Sequence, residues 1–162
     1  MSKTSKPRNR MTVTEQGDAL AIAGAIDETA ALPELLARAR GGRLVLDLAA
    51  VTFINSLGVR DWIRMQAAAQ QAGLAVELRR VSEPLIHQLN MIIAARGTAQ
   101  ITSFFAPYAC DTCGREESLL IEVAPHRDRL LRLEPPAMAC PECAAQMVFN
   151  DFPERYFSFL SV

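Results

Sequence analysis

The 162-residue chain has no apolar run near the roughly 18 residues that a membrane-spanning helix needs, so no membrane insertion is expected. Nor is a secretory leader expected: residues 1–10, MSKTSKPRNR, carry four cationic side chains and no hydrophobic segment, and read as a disordered tail. The expected location is therefore cytoplasmic. Charge of one sign is also lacking. With 17 Lys and Arg against 18 Asp and Glu, the net charge of −1 gives no long-range attraction to nucleic acid or to an anionic membrane. The sequence shows no Gly-rich phosphate loop, no nucleophile with a base and no convergent carboxylates, so catalysis is not expected.

What is present is the composition of a folded protein, with 50% apolar and 22% charged residues. Four cysteines stand in two Cys-x-x-Cys pairs, Cys110/Cys113 and Cys140/Cys143, spaced C-x2-C-x26-C-x2-C. In a reducing compartment such pairs bind metal or do redox chemistry rather than form structural disulfides. A thioredoxin-like site needs one such pair at a strand-to-helix junction, whereas here there are two, beyond the region of alternating strands and helices. Two knuckles supply four thiolates and complete a tetrahedral shell, which points to a structural Zn2+ ion with no open position for water. Gly114 gives a permissive backbone after the first knuckle; Ala144 takes that place in the second and suits it less. His87 and His126 are not needed as ligands, and His126 is placed at a solvated turn.

Met11–Thr14 and Ala19–Ile26 read as a hairpin turned at Gln16-Gly17-Asp18. Thr29 offers a hydroxyl cap to a helix over Ala30–Arg40, ended by Gly41-Gly42. Arg43–Ile54 suggests a central strand buried on both faces, Leu57–Ala72 a helix capped by Asn55 and Ser56, and Leu74–Leu78 a strand. Ser82-Glu83-Pro84 opens a third helix, and Ala99–Phe105 is the last strand of an α/β domain over residues 11–106. Residues 107–162 differ in character. They hold the cysteines, an expected hairpin of Leu119–Val123 and Arg129–Leu133, and the aromatic run Phe152, Tyr156, Phe157 and Phe159, which either packs on the module or forms a homodimer contact.

Gly24-Ala25-Ile26-Asp27 before a Leu-rich segment, then Leu46-Asp47-Leu48 followed by Val51-Thr52-Phe53-Ile54-Asn55-Ser56-Leu57-Gly58, together resemble the STAS domain over residues 11–106. This is the fold of bacterial anti-sigma-factor antagonists, found also in sulfate transporters and in a lipid-transport accessory subunit. The resemblance implies a mixed β-sheet with helices packed on it, to which the cysteines append a small β zinc ribbon. It also implies a protein partner, an anti-sigma-factor serine kinase, bound around Asp27, Asn55, Ser56 and Gly58, with Ser56 as the phosphorylated residue. The family's acid before that serine is Asn55 here, so the fold can persist without the switch. Asn55 lowers the negative charge beside Ser56, which eases a phosphate at the helix start. The plainer alternatives are that Asn55 and Ser56 cap a helix, that Asp27 is a turn carboxylate, and that Trp62 is a core residue rather than a partner anchor. A second functional class is an accessory or scaffold subunit of a transporter or signalling complex. Arginines in the cysteine-bearing segment alternate with Glu116, Glu117, Glu122, Asp128 and Glu134, so nucleic acid is not the expected ligand.

Overall fold

The computed structural model describes residues 9–161. Most of the expected N-terminal tail, residues 1–8, lies outside the described residues. Strands β1 (Thr12–Gln16) and β2 (Ala19–Ile26) form the expected hairpin, turned at Gly17 with φ 62°. The next segment differs from expectation: Leu32–Arg38 is a 3-10 helix, not an α-helix over Ala30–Arg40. Its buried leucines, Leu32 and Leu35, are three apart and stack on one face at three residues per turn. Thr29 does not cap it, because its hydroxyl donates to Asp27 Oδ1 at 2.6 Å.

Strand β3 (Arg43–Ile54) is central and parallel to both neighbours, which explains its nearly continuous apolar sequence. Helix α1 (Ser56–Gln71) returns the chain to β4 (Ala75–Arg79), and helices α2 (Glu83–Met91) and α3 (Ile93–Arg96) lead to the short β5 (Gln100–Ile101). The five-stranded sheet runs β1-β2-β3-β4-β5, so the class is mixed α/β. Trp62 is fully buried under α3, its Nε1 donating to Ala95 O at 2.9 Å.

The expected strand Ala99–Phe105 is divided. After β5 the chain stays beside Val81, with Val81 N donating to Ser103 O at 3.1 Å and Phe105 N to Val81 O at 2.8 Å. It then continues as β6 (Ser103–Ala109) into a second sheet. Strand β6 runs through residue 107, from which the sequence begins the second module. Strand β7 (Glu116–Glu122) pairs with it antiparallel, but the expected second hairpin arm is absent among the described residues: α4 (Val123–Leu131) replaces it. Pro125 sits in the first turn of α4, where no amide hydrogen is required, and Val123 and Leu130 bury one face seven residues apart. A second hairpin does form later, from β8 (Met138–Ala139) and β9 (Gln146–Phe149), giving the order β7-β6-β9-β8.

The chain's last segment, α5 (Pro153–Tyr156) and a 3-10 turn at Ser158–Leu160, folds back against α2 and the second sheet. Phe104 meets Phe159 edge-on at 4.9 Å between ring centroids, and Phe149 meets Phe157 at 5.1 Å. Asn90 Nδ2 donates to Tyr156 O at 2.8 Å and Arg96 Nη1 to Ser158 O at 3.0 Å. Tyr156, Phe157 and Phe159 are thus buried in their own chain, while Phe152 stays 68% exposed. One buried cluster extends from Leu20 through Phe104 to Phe159, so the two sheets share a core.

Candidate metal centre and helix-start site

The four cysteines lie at the tips of two hairpins. Cys110 and Cys113 follow β6, and Cys140 and Cys143 follow β8, each pair in a turn ahead of the next strand. The two turns repeat one hydrogen-bond pattern. Gly114 N donates to Cys110 O at 2.8 Å and Cys110 N to Arg115 O at 2.8 Å; Ala144 N donates to Cys140 O at 2.9 Å and Cys140 N to Ala145 O at 2.8 Å. Both turns close through a left-handed residue, Gly114 at φ 75° and Ala144 at φ 62°. The sequence had singled out that second position as unfavourable, and the structure keeps alanine there in the glycine conformation.

Pairing of β6 with β9 brings the tips together. All four Sγ atoms lie within 4.8 Å of one another, with Cys110 to Cys143 at 3.5 Å and Cys113 to Cys140 at 3.6 Å. These four residues could hold a metal ion. Cys110 and Cys140 are buried and Cys113 and Cys143 exposed, so each knuckle gives one inner and one outer sulfur. The clasp is reinforced by Arg115, whose Nε donates to Glu117 at 2.6 Å and whose Nη1 reaches Glu142, beside the other knuckle, at 3.2 Å.

Four thiols this close do not ionise independently. The amide of Cys113 is the largest influence on Cys110 and helps bring that thiol down to about 6. Cys113 moves the opposite way, to about 12: the amide of Arg115 pulls it down, but desolvation and the sulfurs of Cys140, Cys110 and Cys143 outweigh it. Cys110 gives up its proton easily, while the neighbouring sulfurs raise Cys113 and Cys143. A divalent cation among the four removes that conflict. Neither histidine belongs to the cluster. His87 packs edge-on against Tyr156 at 5.7 Å, and His126 sits part-buried on α4 instead of at a solvated turn.

The second candidate site is the start of α1. Asn55 caps it, Oδ1 accepting from Gly58 N at 2.8 Å, and Ser56 is the exposed first helical residue. Gly58 is buried because a Cβ there would overlap the carbonyl oxygen of Ile26, so glycine lets the helix start press on the end of β2. Asn55 N donates to Ile26 O at 3.2 Å, which joins the same two elements. Asp27 Oδ1 accepts from Thr29 N at 2.9 Å as well as from its hydroxyl, the geometry of a turn carboxylate. Asn55 Nδ2 donates to Glu28 Oε2 at 2.8 Å.

Glu28 therefore places one carboxylate against Asn55, and with asparagine at position 55 the helix start carries one negative charge fewer than an aspartate would give it. An aspartate at position 55 would set two carboxylates against each other, whereas asparagine supplies a donor. Sequence reasoning missed Glu28, since a contact between residues 27 apart leaves no local pattern. Exposed Leu57, at 41%, adds an apolar side chain next to Ser56. Comparison with protein-family models and with curated proteins finds no match to this chain.

Proposed function

We propose that this chain is a non-catalytic bacterial regulatory protein whose residues 11–106 form a STAS-like domain that binds a protein partner, in the manner of anti-sigma-factor antagonists, and whose four cysteines hold one structural zinc ion in a ribbon. The observation that carries the partner-binding reading is the start of α1. Gly58 docks on Ile26, Asn55 caps the helix, and exposed Ser56 and Leu57 face solvent directly after a central parallel strand. A partner lying over that surface would meet a new charge of about −1.5 to −2 on phosphorylation of Ser56, and would be released without refolding of the domain. A serine kinase is the partner class that fits.

The zinc reading rests on the donor set. Four thiolates and nothing else suit zinc among common divalent ions, and tetrahedral Zn–S bonds of about 2.3 Å place sulfurs roughly 3.8 Å apart. The sulfur separations of 3.5 and 3.6 Å are close to that spacing. Mixed charge around the ribbon, with Arg115 held by Glu117 and Glu142 and Arg132 by Glu134, favours protein contact or pure support over nucleic acid.

A second reading, a scaffold or accessory subunit that is never phosphorylated, is favoured by the bond from Asn55 to Glu28, which ties the residue before the serine to a carboxylate. Co-purification from the native host with wild-type, Ser56→Ala and Ser56→Asp chains separates the two. A partner lost from Ser56→Asp alone, with phosphate at Ser56 by mass spectrometry, supports the switch; equal partner sets and no phosphate in any growth condition support the scaffold.

A further inference from the structure

The cysteine cluster has a feature that mere structural support does not require. Each knuckle has one exposed cysteine, Cys113 or Cys143, and the sulfur of each lies 3.5–3.6 Å from that of a buried cysteine of the opposite knuckle, Cys140 or Cys110. We propose that the cluster is an oxidation site, at which a peroxide converts the four thiolates into two crossed disulfides, Cys110–Cys143 and Cys113–Cys140, and expels the metal ion. The proposal rests on the metal-binding reading for the ion and on the sulfur contacts for the pairing.

The chemistry balances with the peroxide as the only oxidant. An exposed thiolate attacks one peroxide oxygen, the O–O bond breaks, and a sulfenic acid forms as water leaves with one added proton. The facing buried thiolate then attacks the sulfenic sulfur; the S–S bond forms, and hydroxide leaves as a second water after taking another proton. Each disulfide thus consumes two thiolates, one peroxide and two protons and yields two waters. Two such events use all four thiolates and free the divalent ion with its charge.

The crossed pairing has a consequence that bonds within each Cys-x-x-Cys would not share. The ion joins the β6–β7 tip to the β8–β9 tip, and crossed disulfides join the same two tips covalently. Oxidation therefore exchanges one clasp for another and leaves the paired strands β6 and β9 together. Bonds within the knuckles would leave only the strand pairing and the Arg115–Glu142 contact to hold the tips.

The test uses the full chain, purified without oxygen and with its metal content measured first. Hydrogen peroxide is titrated in, released metal is followed with a chromogenic chelator, and disulfides are mapped by non-reducing peptide mass spectrometry. The expected result is loss of metal in step with about two peroxides per chain, the two crossed pairs, and a near-ultraviolet spectrum retained after release. In Cys113→Ser, the Cys110–Cys143 bond still forms and Cys140 stays unpaired. Disulfides within Cys110/Cys113 and Cys140/Cys143, sulfinic acids without disulfides, or thiols that survive excess peroxide with the metal in place would each overturn the proposal. Starting protein without metal counts against the zinc reading alone, and the disulfide map still decides the pairing.

Discussion

The two knuckles differ at one informative position. Gly114 and Ala144 close the same turn in the same left-handed conformation, at φ 75° and 62°, but only glycine occupies that region without a Cβ penalty. An L-residue with a side chain pays roughly 1–2 kcal/mol there, while glycine carries about 0.5–1 kcal/mol of extra chain entropy in the unfolded state. The difference, on the order of 0.5–1 kcal/mol, is what Ala144→Gly should return. Ala144 is exposed, so little packing is lost with its methyl group. Gly114→Ala should destabilise by a similar amount; no atom lies within 4 Å of the added Cβ, so the effect is conformational and not steric. In competition with a chromogenic chelator, the two variants should shift the apparent zinc affinity about two- to fivefold in opposite directions, and the double variant should return close to wild type. A loss of affinity in Ala144→Gly, or a double variant much worse than either single one, would refute the view that the knuckles are equivalent turns limited by backbone strain.

Gly58→Ala drives a methyl group into the Ile26 carbonyl and should cost about 1–3 kcal/mol in a chemical denaturation curve, the range for overpacking a rigid site. Tyr156→Phe removes the 2.7 Å bond from the phenol to Phe105 O, where the chain passes between the sheets, and should cost about 1–2 kcal/mol by the same assay. Glu77 accepts from Arg79 and Arg43, the Arg79 bond being the larger cause of a carboxyl pKa held below its ordinary 4.5. Its stabilisation is complete above that value and is lost as pH falls through the depressed one, so Glu77→Gln should flatten the acid limb of the unfolding midpoint against pH. Metal removal should raise amide hydrogen exchange at Ala109–Arg115 and Ala139–Gln146 first, while Leu44–Leu48 and Val59–Ala69 keep their protection, because the aromatic cluster about Phe104 holds the shared core without the metal.

Local chemistry made much of the molecule legible from the chain itself. Alternation and turn residues gave β1, β2 and β3, the Asn-Ser start marked α1, and the two Cys-x-x-Cys pairs named every member of the cysteine cluster. These are signals written within a few residues, and backbone geometry turns them into structure directly. The misreadings share a cause in long-range competition. Leu32–Arg38 is a 3-10 helix whose Leu32 and Leu35 are buried in the core, a packing set by distant elements and not by local propensity. The expected arm at Arg129–Leu133 went helical because the β8–β9 hairpin, not that segment, carries the second knuckle. Strand β6 crossed residue 107 because β7 pairs along its whole length while Val81 holds its first half and β9 its end. The partner of Asn55 was equally hidden, since Glu28 reaches it only after β2 and β3 pair in parallel. The sequence alone thus located the four clustered sulfurs and the serine that starts α1. Tertiary structure decided what faces them, because contacts between distant residues depend on how strands pair and not on the order in which residues are joined.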